Sequence, residues 1–169
     1  MELQAAYHGH VTTPQSLMRS VERMQEEIDL WLKREREQGR DVTHIVATGI
    51  SGQSLAWPLS MLLDLPVAVV RKHQENSHAG LYLVGSRDLR RYVVVDDLIS
   101  SGDTIRHIWQ TIHAQWRGYD VNDVRGPEPE MAAIFLAQQF GSTRSQLPWL
   151  GSQYSNDYVD HQPVPVFAI

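Results

Sequence analysis

"RYVVVDDLISSGDT" (residues 91–104) decides how this chain is read. Arg91, Tyr92 and three valines run straight into two adjacent carboxylates, Asp96 and Asp97. An unbroken run of β-branched residues fits a strand covered on both faces, as the strands of parallel sheets are. Leu98, Ile99, Ser100, Ser101, Gly102 and Asp103 then lead to Thr104. From there Ile105, Ile108, Trp109, Ile112 and Trp116 recur at helical spacing, which predicts an amphipathic helix over 104–116. The stretch is a strand, an acidic pair, a soft loop and a helix.

That order has a chemical meaning. In open parallel sheets, ligands bind beyond the carboxyl ends of the strands. Gly102 lets the backbone approach a ligand closely, and the free N–H groups at the following helix start make a nest for an anion. Ser100, Ser101 and Thr104 add hydroxyl donors. Carboxylates repel phosphate, so Asp96 and Asp97 are expected to face sugar hydroxyls, or a Mg²⁺ ion shared with phosphates. A ligand with a ribose, a 5′-phosphate and further phosphate satisfies both halves.

Outward from this stretch the elements alternate. A helix is predicted over 14–38, with Thr13 as cap, Pro14 in its first turn and Gly39 as its stop. The charge-dense "KREREQGRD" reads as its solvated end. "THIVAT" (43–48) is a buried strand, "GISGQS" (49–54) a loop, and "LAWPLSMLLD" (55–64) a helix with Pro58 near its start. "PVAVV" (66–70) is a second strand and "RKHQENSHAG" (71–80) a polar, flexible loop. "LYLV" (81–84) is an edge strand and "MAAIFLA" (131–137) a further buried one. The tail from Gly141, with Trp149, Tyr154, Tyr158 and Pro163–Pro165, reads as an irregular flap or lid. Strands alternating with helices predict an α/β fold, with a mostly parallel central sheet flanked by helices.

Composition narrows the classes. At 169 residues the chain suits a single domain, with its core over about 43–137. A net charge of −5 argues against a general nucleic-acid binder. Apolar runs are too short for a transmembrane helix, so no membrane partner is expected. The start "MELQAAYHGHVTT" does not read as a signal peptide. The sequence holds no cysteine, which excludes disulfides and thiolate metal sites and fits a cytoplasmic protein.

"VVVDDLISSGDT" resembles the phosphoribosyl pyrophosphate (PRPP) binding motif of the type I phosphoribosyltransferases, with Ser101 in place of the commoner Thr. "ATGISGQSLA" (47–56) resembles that family's pyrophosphate-binding loop. "VVRK" (69–72) resembles the strand and basic pair before its flexible catalytic loop, and "NSHAG" (76–80) the His-Gly end of that loop in orotate enzymes. The resemblance implies an enzyme of nucleotide salvage, with a hood built from the chain ends (141–169) and commonly a homodimer. It implies transfer of ribose 5-phosphate from PRPP to a nucleobase-like nitrogen acceptor, with release of pyrophosphate and dependence on Mg²⁺. Arg71, Lys72 and His78 become the catalytic candidates. Ile50, Ser51, Gly52 and Gln53 would bind pyrophosphate; Ser100, Ser101, Gly102, Asp103 and Thr104 would bind the 5′-phosphate. Asp96 and Asp97 would hold the ribose and the metal. The alternative is a non-catalytic PRPP- or nucleotide-binding regulatory protein of the same fold.

Departures from the pattern are informative. Enzymes acting on 6-oxopurines carry an Asp inside the motif where this chain has Ser100, which points away from hypoxanthine and guanine. Orotate enzymes carry a Lys close before the loop His, where this chain has Asn76 and Ser77. Rival readings lack residues: "IVATGIS" has no Asp for a receiver or phosphatase, and "GISGQS" lacks both the Lys of a P-loop and the last Gly of a nucleophile elbow. His44, His107 and His113 show no metal-ligand spacing and are expected on helix or strand surfaces.

Overall fold

The computed structural model describes residues 13–72, 82–86, 89–97, 99, 102–117, 127–137, 146–147 and 164–169. The chain opens with helix α1 (Pro14–Glu37), strand β1 (His44–Thr48), helix α2 (Gly49–Leu63) and strand β2 (Val67–Val70). Strands β3 (Leu83–Gly85) and β4 (Arg91–Asp96), helix α3 (Asp103–Arg117) and strand β5 (Glu130–Leu136) follow. The short β6 (Gln146–Leu147) and β7 (Val164–Ala168) close the series. The strand order is β3-β2-β1-β4-β5-β7-β6. β2, β1, β4, β5 and β7 run parallel, while β3 and β6 are antiparallel to their neighbours.

Side-chain alternation along the strands builds two cores. Ile45, Ala47, Val67, Val69, Val93, Val95 and Phe135 face α1 and α2. Val46, Ala68, Val70, Tyr92, Val94 and Ile134 face Ile105, Ile108 and Ile112 of α3. The sheet is therefore covered on both faces, which is why its strands read as continuous apolar runs. α1 begins as its sequence dictates. Thr13 Oγ1 accepts from the Ser16 amide at 3.1 Å, Pro14 fills the first turn, and Gly39 stops the helix at φ +72°.

Five local expectations are corrected. Residues 49–54 are not a loop, because α2 starts at Gly49 directly after β1. The turn is compressed into Gly49, whose φ of +61° only glycine adopts cheaply. Pro58 consequently lies inside α2, not near its start. The tail is not irregular to its end: Val164–Ala168 forms β7 and extends the central sheet, with Phe167 stacked on Phe135 at 4.9 Å. "KREREQGRD" is not wholly solvated. Glu35 is buried, and its carboxylate takes hydrogen bonds from Arg91 (2.7 Å) and Arg40 (2.8 Å). Arg91 also reaches Glu130 at 3.0 Å and lies over the Trp31 ring. Finally, His44 and His113 are buried, not on the surface. His44 is held by Thr43 and Ser86; His113 stacks on Trp109 and meets Glu128 at 3.0 Å. Both ring nitrogens of His44 thus meet hydroxyls, while at His113 it is Nδ1 that meets the carboxylate.

Candidate functional site

The sheet changes direction of winding between β1 and β4. From β1 the chain crosses by α2 to β2 on one side; from β4 it crosses by α3 to β5 on the other. A crevice opens at such a switch point, beyond the carboxyl ends of the two strands. Thr48 ends β1 there and Asp96 ends β4. The two following helices pack on opposite faces of the sheet, yet both start at this crevice.

Each helix start has a glycine in the left-handed region, Gly49 at φ +61° and Gly102 at φ +85°. Gly102 accepts the first helical bond of α3 from the Arg106 amide at 3.0 Å, so the Asp103 and Thr104 amides stand in the first turn, ahead of that bond. The same rule leaves Ile50 and Ser51 with free amides in α2, while Gly52 and Gln53 are placed to bond back along the helix. The positive ends of two helix dipoles therefore meet over one crevice. Asp103 takes a 2.7 Å bond from Arg106, so its charge is partly compensated beside the α3 cradle.

Asp96 is the most constrained polar group here. It is buried at 6% exposure, yet ionisable. Its Oδ1 accepts from the Asp97 amide at 2.9 Å and from the Ser51 hydroxyl at 3.4 Å. Desolvation pushes its carboxyl up to about 7; the Asp97 charge adds to the rise, while the Asp97 amide and the Lys72 charge oppose it. Gly52 is small for a reason: a Cβ there would lie 3.1 Å from the Val95 carbonyl oxygen and 3.4 Å from Asp96 Oδ1. α2 can then approach the end of β4 closely. The Thr48 hydroxyl is buried at the same strand ends and finds no hydrogen-bond partner among the described residues.

The basic pair follows β2. Lys72 is exposed and lays its ammonium against Gly49, where a Cβ would stand 3.1 Å from Nζ. Arg71 is half-buried; its amide donates to the Tyr82 carbonyl at 2.8 Å and its carbonyl meets His107 Nε2 at 2.7 Å. The sequence reading placed His107 on a helix or strand surface with no role at the site, and gave Thr48 none. His107 carried a weak signal, since it stands four residues after Asp103 and so shares its helix face.

Contacts thus bring Ser51, Gly52, Asp96 and Asp97 together and set Lys72 against Gly49, while Ile50 and Gln53 lie in the first turns of α2, Gly102, Asp103 and Thr104 at the start of α3, and Arg71 directly before Lys72. His78, Ser100 and Ser101 lie outside the described residues, as do Trp149, Tyr154 and Tyr158. Among the described residues no three His, Cys, Asp or Glu side chains converge as a metal cage. The donor set of Asp96 and Asp97 nevertheless fits Mg²⁺, which is commonly held by one or two carboxylates plus substrate phosphates. Among the described residues no helix is long and apolar enough to cross a membrane.

This is the fold of the type I phosphoribosyltransferases, and the resemblance carried by residues 91–104 is borne out. The chain is similar to adenine phosphoribosyltransferase from Thermoanaerobacter pseudethanolicus at a TM-score of 0.54 and 16% identity, over 95% of this chain and 82% of that one. It is similar to orotate phosphoribosyltransferase from Aeropyrum pernix at a TM-score of 0.51 and 17% identity, over 75% of this chain and 61% of that one. In sequence it is 36% identical over 94 residues to the HGPRTase-like protein 3 of Haloterrigena turkmenica, covering 48% of this chain and 50% of that protein. The chain therefore spans about half the length of this curated relative. No protein-family model matches it.

Proposed function

We propose that the chain is a phosphoribosyltransferase: it moves ribose 5-phosphate from PRPP to a nitrogen of a nucleobase-like acceptor and releases pyrophosphate. The observation that carries this reading is the buried Asp96 carboxylate between two glycine-started helix N-termini, with Lys72 against one of them. Two anion cradles flank one acidic centre, as a sugar bearing phosphate at both ends requires.

In this reading the α3 start anchors the 5′-phosphate, and Asp96 and Asp97 hold the ribose hydroxyls. The α2 start and Lys72 face the pyrophosphate, with Arg71 at the rim and His78 assigned to the same charge. The C1–O bond breaks with its electron pair leaving on pyrophosphate; the C1–N bond forms, and the acceptor gives up its ring proton. Negative charge grows on the leaving group, so preorganised donors aimed there lower the barrier. Asp96 and Asp97 would also hold Mg²⁺, which when bound neutralises phosphate charge as a Lewis acid. The rise of Asp96 through burial supports this role, because a cation restores the ionised form.

Self-association into a homodimer completes the proposal. Ile50, Trp57 and Met61 lie along one exposed face of α2, with Ile50 and Met61 at 86% and 85% exposure. Residues 49–63 hold no charged side chain, so two copies of a chain at −5 meet there without like-charge repulsion.

The test is pyrophosphate release from PRPP and Mg²⁺ across a panel of nucleobases. Release with one base supports the proposal and identifies the acceptor. PRPP binding without turnover on any base would sink the enzyme and leave a binding module. Ser100 weighs against hypoxanthine and guanine, although the curated relative is named for HGPRTase; both bases belong in the panel.

A further inference from the structure

β2 ends at Val70 and β3 begins at Leu83, and their neighbours Arg71 and Tyr82 meet. Arg71 donates its amide to the Tyr82 carbonyl at 2.8 Å, next to the last β2–β3 pair, Val70 with Leu83. That closes the root of the connection as a ladder bond. The Arg71 carbonyl on the other side of the same residue is taken by His107 Nε2 at 2.7 Å. A carbonyl only accepts, so Nε2 is the protonated nitrogen. His107 sits one turn into α3, four residues after Asp103 at the helix start. One half-buried side chain therefore fastens the helix that begins at Gly102 to the residue preceding Lys72.

We propose that His107 is a positioning residue for the basic pair, and that it couples the two anion cradles of the site. This rests on the phosphoribosyltransferase reading above. The helix that receives one phosphate group and the strand end that presents Lys72 to the other are joined through this bond. Lys72 is exposed on a long flexible stem, so its backbone must be fixed if Nζ is to stay over Gly49. Arg71 supplies that fixed point, held on its N–H side by Tyr82, just before β3, and on its carbonyl side by α3. The bond from its Nε2 to the Arg71 carbonyl is the path by which it acts on Lys72.

The experiment compares His107→Leu, which removes the donor, with His107→Gln, which keeps an N–H donor of similar reach. PRPP with Mg²⁺ is titrated into each by calorimetry, and hydrogen exchange is followed at the Arg71 amide. His107→Leu is expected to weaken PRPP binding about tenfold, the scale of one lost hydrogen bond. It should speed exchange at Arg71 while leaving β1 and β4 amides unchanged. His107→Gln is expected to restore both to near the parent values. Unchanged affinity and exchange in the Leu variant would overturn the inference. Equal loss in both variants would do so too, since it indicates packing and not a positioned donor. If the parent itself does not bind PRPP, the functional reading fails. The coupling is then judged by exchange alone: Arg71 loosened by Leu and restored by Gln upholds the fastening, and no change removes it.

Discussion

Lys72 Nζ rests over the α-carbon of Gly49, so near that a Cβ at position 49 would stand 3.1 Å from it. Glycine is required there twice, by that approach and by a φ of +61°. Gly49→Ala is expected to cost about 1–2 kcal/mol through the left-handed backbone alone. It should also displace Lys72 and weaken inorganic pyrophosphate binding by about tenfold or more. Chemical denaturation and pyrophosphate titration read the two effects separately. Unchanged pyrophosphate affinity in a folded variant would detach Lys72 from the leaving-group role.

Asp96 sets a pH dependence. Its folded-state carboxyl titrates at about 7, above the ordinary value of 3.8. The folded state therefore binds the proton more tightly than the unfolded chain. This contribution to stability is fully present below about pH 4 and is lost as pH rises through about 7. Without ligand, Asp96→Asn removes the loss. The variant is expected to gain stability relative to the parent between pH 5 and pH 8, by about 1–3 kcal/mol. Thermal melts across that range check it. A difference between variant and parent that stays flat with pH would show that Asp96 is not the titrating group.

Glu35 and Arg91 tie the last turn of α1 to the first residue of β4 at 2.7 Å, both with little exposure. Glu35→Ala leaves Arg91 with Glu130, the more exposed of its partners. A loss of about 2–3 kcal/mol is expected, below the full cost of a stranded buried charge because Glu130 remains. Urea unfolding measures it. Arg40→Ala should cost less than about 1 kcal/mol, since that arginine is half exposed.

The exposed face of α2 predicts a composition-dependent assembly. Met61→Glu places a charge on the face and, by symmetry, opposite itself or its neighbours in a second copy. Sedimentation should show the parent as a dimer and the variant shifted toward monomer at micromolar concentration. A monomeric parent would remove the homodimer from the proposal.

Much of this fold was legible because periodicity and burial agree. "YVVV" and "VAVV" read as doubly covered strands and are so; Val21, Met24, Ile28 and Leu32 recur at helical spacing and are the buried inner face of α1. The α2 start was not legible, since Gly49, Gly52 and Pro58 all argue locally against a helix. Tertiary packing overrides them: Gly52 is needed where α2 meets the end of β4. Val164–Ala168 was missed because Pro163 before it and Pro165 within it mask a strand that Phe167 anchors against Phe135. For the site, acidic pair and glycines could be read from spacing. Its links between elements could not, because the His107–Arg71 and Ser51–Asp96 contacts join residues 36 and 45 positions apart. No local pattern records such pairs.

The convergence of two helix starts on a buried carboxylate has a practical consequence. Such an arrangement holds a carboxylate that burial drives toward its neutral form beside two positive helix ends. Whatever answers those groups must bind the native state in preference to the unfolded chain, and so raise the melting temperature by linkage. At a concentration of 100 times its Kd, a ligand adds about 2.7 kcal/mol. A melting-temperature survey of sugar phosphates, pyrophosphate and nucleotides, with and without divalent cations, would therefore rank the natural ligand of this chain without presupposing any reaction.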